Sequence, residues 1–301
     1  MDYLDLRRFR YFLAVAETLH FGRAAQKLGV AQPNLSQQIK NLETALGYAL
    51  FERTTRGVKL TAVGSFLWQR VELLQANSQE TIQTAQRIGR GEEGSLSIGF
   101  SGSAMYSTTP RVVEKFRRFY PKVVVQLREL YAHEQMPLLI DGVLDVGFIR
   151  DGAPTPGLRM TPLSRERFVA VLPEGHPTAP QRSIAPKQLK DDPFILFSPK
   201  IARLSYEHIM DLCKADGFVP QILQEAPQWV TVCNLVAAGM GVSFAPACIS
   251  RLSISGIVYR RLRSKAWSTI DAWTTITPTN PAVKPLLDIA EQEFRKAQSK
   301  D

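Results

Sequence analysis

Residues 24–43, AAQKLGVAQPNLSQQIKNLE, decide how the chain begins to fold. Ala24, Ala25 and Leu28 recur at helical spacing, Gly29 and Val30 turn the chain, and Pro33 stands just inside a second helical pattern, where its missing N–H leaves no carbonyl unbonded. The order is helix, tight glycine turn, helix, and the small Ala25 lets two steeply crossing backbones approach. In the later helix Leu35, Ile39, Leu42 and Leu46 form one apolar stripe, leaving Gln32, Asn34, Ser36, Gln37 and Lys40 outward. A face of donors and acceptors suits base edges and phosphates in a major groove, where Gln and Asn pair bidentately with adenine. Alone, such a stripe also describes an ordinary solvated helix face, so the flanking segments carry the decision.

Upstream, Leu6, Phe9, Phe12, Leu13 and Ala16 predict an amphipathic helix ending before His20. Downstream, LFERTTRGVKLTAVG at 50–64 reads as two short strands joined around Arg56 and Gly57, a wing from which Arg53, Arg56 and Lys59 project. Cations on a hairpin beside a polar helix reach flanking phosphates or a narrow minor groove, and make affinity fall with salt. Charge agrees. The 301 residues carry a formal +9, and residues 1–91 hold 12 Lys and Arg against 7 Asp and Glu, so over half of the excess lies in under a third of the chain.

These two segments, in this order, resemble the N-terminal signature of the LysR-type transcriptional regulators. The resemblance is close over about the first 65 residues and extends in layout to the rest. It implies DNA contacts at Gln32, Pro33, Ser36, Gln37 and Arg53. Gln37 stands where the family often has Arg, which predicts an altered base preference. The resemblance further implies operator DNA and RNA polymerase as partners, a homodimer or homotetramer, and activation by relaxing a DNA bend, with repression equally compatible with these residues.

Residues 62–90 contain no proline and predict a long helix. Leu67, Val71, Leu74, Ser78, Thr81, Ala85 and Ile88 follow alternating steps of four and three, a coiled-coil seam for a homodimer whose middle is small and polar. A helix packed on its own chain is the other reading. GRGEEGS at 89–95 then breaks the helix.

From Ser95 short apolar strands alternate with amphipathic helices: LSIGF, a helix from about Tyr106 to Tyr120, VVVQLREL, a helix near 132–141, and LDVGFI. A second set follows in FVAVLP, PFILF, a helix over 203–215, QILQEA, a helix over 229–238 and VSFAP, before IDAWTTIT and a closing helix over 281–298 return. The pattern predicts an α/β fold: a helical winged helix-turn-helix over 1–61, a linker helix over 62–91, and a two-lobed domain over 92–301, which the resemblance implies is a regulatory domain like a type 2 periplasmic binding protein. Lobe I takes about 92–164 and 268–301, lobe II about 165–267, with crossings near 163–166 and 266–269.

Paired α/β lobes place a cleft at their strand ends. Ser101, Gly102 and Ser103 lie between a strand and a helix, where hydroxyls and helix-terminal N–H groups can converge on an anionic oxygen, although simple capping would need the same residues. Arg150 closes the next strand and can neutralise a carboxylate, or else pair with Asp151 or Asp145. From the other lobe the turn Phe197, Ser198, Pro199, Lys200 faces the same way. Through the resemblance, Ser103 and Arg150 match effector-contacting positions of the branch governing breakdown of aromatic acids such as benzoate, muconate or phenylpropionate, implying a small organic acid as effector. Ala132 falls where muconate-responsive members tend to have Thr, against a muconate-type ligand.

Other functions fit less well. His20, His133, His176 and His208 show no i, i+4 metal pair, and neither a nucleophile elbow nor a phosphate-binding loop motif occurs, so no enzyme, metal or cofactor is expected. His133 reads as a surface histidine after a strand. A transport binding protein would carry a signal peptide and no basic helix-turn-helix; a cytoplasmic protein without membrane contact is expected. Cys213, Cys233 and Cys248 are widely spaced and read as buried thiols, with Cys213 and Cys248 the pair a redox-sensing regulator would use.

Overall fold

The computed structural model describes residues 6–54 and 57–298, and the chain divides into two compact units, residues 1–86 and 87–301. The first holds α1 (Leu6–Thr18), α2 (Phe21–Leu28), α3 (Gln32–Leu46), a hairpin of β1 (Phe51–Thr54) and β2 (Gly57–Leu60), and most of α4 (Ala62–Gly89). His20 caps α2, its Nδ1 accepting the Arg23 N–H at 3.2 Å. At the other end Gly29 takes φ 64° and the Val30 N–H donates to Ala25 O at 3.0 Å, a left-handed exit that favours glycine.

That turn lays α2 on α3 over Ala24, Ala25, Leu35, Ile39 and Leu42, with Phe12, Val15, Phe21, Leu50 and Phe51 completing the core. Each large apolar side chain buried there contributes about 1.5–3 kcal/mol. Leu46, expected in the stripe, is instead exposed, because it sits in the last turn of α3 just before the Gly47 cap. Glu43 Oε1 accepts the Leu50 and Phe51 N–H groups and ties α3 to the wing. At the start of α4 the backbone approaches so closely that a Cβ on Gly64 would lie 2.1 Å from Leu50 O.

The seam expected along α4 is corrected at its start. Leu67 and Trp68 pack on the core of their own unit, and Val71 is nearly fully covered within the single chain. A helix leaving the wing lays its first turns on the domain it leaves, so those positions are used locally. Leu74, Ala85 and Ile88 remain exposed, as do Phe66, Leu73 and Ile82.

In the second unit, β3 (Glu93–Phe100), β4 (Lys122–Glu129) and β5 (Val146–Arg150) are parallel, and β6 (Leu158–Pro173), β7 (Ser183–Ile184), β8 (Pro193–Phe197), β9 (Gln221–Ala226), β10 (Ser243–Pro246), β11 (Ile257–Leu262) and β12 (Trp267–Thr275) follow in chain order. The large sheet runs β4-β3-β5-β12-β6-β11-β7, with β10 also on β6, while β8 and β9 pair separately. The helices are α5 (Thr109–Phe119), α6 (Ala132–Ile140), α7 (Arg203–Ala215), α8 (Trp229–Ala237) and α9 (Val283–Gln298).

Two large apolar cores result, with a smaller cluster of Leu139, Leu144, Ile149 and Trp273 beside them. One is built from residues between Leu96 and Leu163 together with Ile270 to Phe294. The other lies between Phe168 and Leu262. β6 and β12, antiparallel to each other, pass between the two, and the ladder shifts register between Ile270 and Asp271. In the second lobe β8 and β9 are parallel, whereas β10 and β11 pair antiparallel with β6. The expected Tyr106–Tyr120 helix begins later, since a 3-10 turn over Gly102–Tyr106 comes first and α5 starts at Thr109, with Pro110 in its first turn.

Candidate functional site

On α3, Gln32, Pro33, Asn34, Gln37 and Lys40 are exposed and Ser36 is half-buried. The polar face is therefore presented by the helix whose opposite side fills the core. Gln37 Nε2 donates to Asn41 Oδ1 at 2.9 Å, which orients the amide along the helix. Lys59 is exposed on β2. Arg53 sits in β1 opposite Val58, and Arg56 lies outside the described residues.

The second unit contains a cleft of about 600 Å³ lined from one lobe by the Ser101–Ser103 turn, Glu129, Tyr131 and Arg150, and from the other by Phe197, Lys200, Arg203 and Trp229. The ends of β3, β4 and β5 open at one edge because these strands are parallel, which brings Ser101, Glu129 and Arg150 together. The Phe197 and Trp229 rings meet at 5.4 Å, and Tyr131 stacks on His133 at 5.9 Å. Ser198 does not line the cleft. Its hydroxyl donates to Glu225 at 2.9 Å, because β8 turns its Phe197 side chain inward and the next residue away.

Arg150 is buried and its donors are largely spent inside the protein. Nε donates to Ser103 Oγ at 2.9 Å, Nη1 to Ser268 Oγ at 2.8 Å, and Nη2 to Cys248 Sγ at 3.1 Å and Glu166 Oε1 at 3.4 Å. Its carboxylate partner is thus Glu166 on β6, whereas Asp145 accepts the Ser97 N–H. Burial works against the guanidinium, yet Cys248, Glu166 and Asp151 more than offset it and hold Arg150 above its ordinary value. Ser101 Oγ donates to Phe148 O at 3.2 Å and accepts the Arg150 N–H at 3.1 Å. Both serines line the cleft: Ser101 Oγ is engaged with β5 as donor and acceptor, whereas Ser103 Oγ accepts from Arg150 Nε and keeps its own proton.

Asp151, at φ 49°, holds a second network. Its carboxylate accepts the Thr269 N–H at 2.8 Å, Ser205 Oγ at 2.7 Å and Ser268 Oγ at 3.0 Å, and His208 Nδ1 lies 3.5 Å away. Burial alone would raise this carboxyl, but His208, Thr269, Arg150 and Ser205 together hold it below its usual value. Asp151 in turn raises His208 against the effect of burial. Asp271 has weaker support, one hydrogen bond from Thr269, and burial with the nearby Asp151 charge pushes it up to about 6.

Two charges in the cleft are uncommitted. Among the described residues neither Glu129 nor Lys200 has an ion-pair partner, whereas Arg203 is paired with Glu207 at 2.7 Å. Glu129 lies against the serine turn, where a Cβ on Gly102 would come within 2.5 Å of its Oε1. Burial and then the Glu129 charge hold the neighbouring Tyr106 phenol above its ordinary value. The sequence reading missed Glu129 and Trp229, although strand order places both at the cleft edge; Glu166 and Ser268 left no local signal.

The cysteines are all buried. Burial pushes both the Cys213 and Cys248 thiols up to about 12, the opposite of what a reactive thiolate requires. Among the described residues no group of three or more His, Cys, Asp or Glu is arranged to hold a metal, and no helix is long and apolar enough to cross a membrane.

Residues 6–65 match the family model of the bacterial regulatory helix-turn-helix protein, lysR family, and residues 89–295 match that of the LysR substrate binding domain. The chain belongs to the LysR family of transcriptional regulators. It is 37% identical to the HTH-type transcriptional regulator AlsR of Bacillus subtilis (strain 168) over 259 residues, 86% of each chain. The solved structure of full-length BenM, a regulator of Acinetobacter baylyi, is similar at TM-score 0.62 and 30% identity over 98% of both chains. CbnR, solved full-length with its target DNA, has the same fold, with TM-score 0.83 at 24% identity over 97% of this chain and 100% of CbnR. As a LysR-family regulator, the chain joins a DNA-binding unit to an effector-binding domain of the type 2 periplasmic-binding-protein kind.

Proposed function

We propose that this LysR-family regulator reads operator DNA through Gln32, Pro33, Asn34, Ser36, Gln37 and Lys40, with Arg53 and Arg56 on the wing, and answers to a small aromatic organic acid held between its lobes. The observation that carries the effector reading is the Phe197–Trp229 pair in the cleft, beside Lys200 and the first turn of α7. The rings, packed on each other in the core of lobe II, supply an apolar wall for a flat ligand. Lys200 and the positive end of α7 favour a carboxylate at its rim. Ser101, Gly102, Ser103 and Arg150 form the opposite wall, with Arg150 acting through the bonds it already makes.

Arg150 also supplies the transmission. From lobe I it reaches Glu166 and Ser268 on the crossing strands and Cys248 in lobe II. A ligand that binds one lobe arrangement better than the other shifts the balance between them by that difference in affinity. In a homodimer or homotetramer, joined in part through Leu74, Ala85 and Ile88 of α4, the shift changes the spacing of the DNA-reading units.

The test is thermal unfolding of the full chain with benzoate and 3-phenylpropionate. Wild type gains a higher midpoint with ligand and the Trp229→Leu variant gains much less. No gain with any aromatic acid, or an equal gain in both proteins, rejects the effector reading.

A further inference from the structure

Among the described residues, the cleft carries charges of both signs that have no ion-pair partner. Lys200 faces it from lobe II and Glu129 from the end of β4 in lobe I, each exposed and without an ion-pair partner among the described residues. The other charged groups in the lining are answered. Asp151 has its hydroxyls, the Thr269 N–H and His208, Arg150 has Glu166, and Arg203 has Glu207.

Glu129 also stands beside the turn that a simple anion was expected to use. Its Oε1 lies against Gly102, 2.5 Å from where a Cβ would stand, Ser101 Oγ is bonded to Phe148 O and the Arg150 N–H, and Ser103 Oγ accepts from Arg150 Nε. A ligand carboxylate at that end would meet a carboxylate. Like charges brought together in a partly enclosed cleft repel, whereas an ammonium in the same place forms a charge-assisted hydrogen bond.

We infer that the effector is a zwitterion, an aromatic acid that also carries an ammonium group, with its carboxylate toward Lys200, its ring against Phe197 and Trp229, and its ammonium on Glu129. The inference rests on the aromatic-acid reading and narrows it. Glu129 thereby becomes the residue that separates amino-bearing acids from plain ones, in a cleft whose volume of about 600 Å³ admits a ligand of one ring and two polar ends.

The experiment is calorimetric titration of the full chain with three para-substituted benzoates of similar size: 4-ethylbenzoate, 4-(hydroxymethyl)benzoate and 4-(aminomethyl)benzoate. Phenylalanine and 3-phenylpropionate form a second pair. Each is measured against wild type and Glu129→Gln, an isosteric change at an exposed position. The expected result is that at least one ammonium-bearing member binds wild type on the order of tenfold more tightly than its uncharged counterpart, and that Glu129→Gln removes the difference. Binding of all the benzoates with no preference, equal preference for the hydroxymethyl compound, or a preference that survives Glu129→Gln overturns the zwitterion inference and leaves the aromatic-acid reading standing. Failure of every member to bind overturns both.

Discussion

Replacing Arg150 by Met removes a buried cation while keeping most of the aliphatic stem. The side chain is only 4% exposed and that of its partner Glu166 only 14%. After the change Glu166 keeps one hydrogen bond, from the Cys248 N–H at 3.0 Å, and Ser103 and Ser268 each lose the guanidinium. Breaking a buried pair by deleting one member typically costs 3–5 kcal/mol, chiefly from the charge left behind. The 3.4 Å separation and the residual exposure of Glu166 place this case near the lower end, about 3 kcal/mol. For a unit of this size that corresponds to a midpoint lower by roughly 6–12 °C. Differential scanning calorimetry of the full chain should show the effector unit's transition move while the DNA-binding unit's stays. In a Glu166→Gln background the same substitution should cost roughly 1–2 kcal/mol less, since no orphaned charge remains. A loss under about 1 kcal/mol, or strictly additive effects, would refute the view of Arg150 as an interlobe strut.

Gly64→Ala should destabilise the DNA-binding unit by about 2–3 kcal/mol in urea unfolding, because the added Cβ meets the Leu50 carbonyl, a backbone atom that cannot swing aside. Asp271 titrates near 6 when folded against 3.8 for its ordinary value, so the folded protein holds a proton that the unfolded chain has released and stability falls between these values. Asp271→Asn should therefore add about 1–2 kcal/mol at pH 7.5 and nothing at pH 3.5, read from urea midpoints at each pH. His208 is raised by Asp151, so its contribution is complete below about 6.5 and disappears as pH climbs through the raised value. The stability advantage of wild type over His208→Gln should accordingly be larger at pH 6 than at pH 9.

The DNA-reading unit was legible because its signals are local: a glycine turn between helical repeats, a stripe of Leu35, Ile39 and Leu42, and a cation-bearing hairpin. The strands of the second unit were legible where apolar runs such as LSIGF and PFILF are buried at all but one position. β11, IVYRRL, was not, because its burial follows no alternation and two of its six residues are arginines. The seam on α4 misled at Leu67 and Val71 because periodicity reports that a face is apolar and says nothing about which surface covers it. The cleft walls followed from strand order, yet the partners of Arg150 did not: Ser268 and Glu166 lie 118 and 16 residues away in sequence and meet Arg150 only through the antiparallel pairing of β12 with β5 and β6.

DNA reading by α3 and the wing is tested by fluorescence anisotropy with the DNA upstream of the chain's own gene, at several salt concentrations, comparing wild type with a Gln32→Ala, Arg53→Ala double variant. Wild type should bind tightly and with sequence preference, weakening steeply with salt, the variant should lose the preference, and adding the effector should change the wild-type complex. Equal affinity of wild type and variant for operator and random DNA, together with no preferred site in a genome-wide binding selection, would contradict DNA reading by these elements.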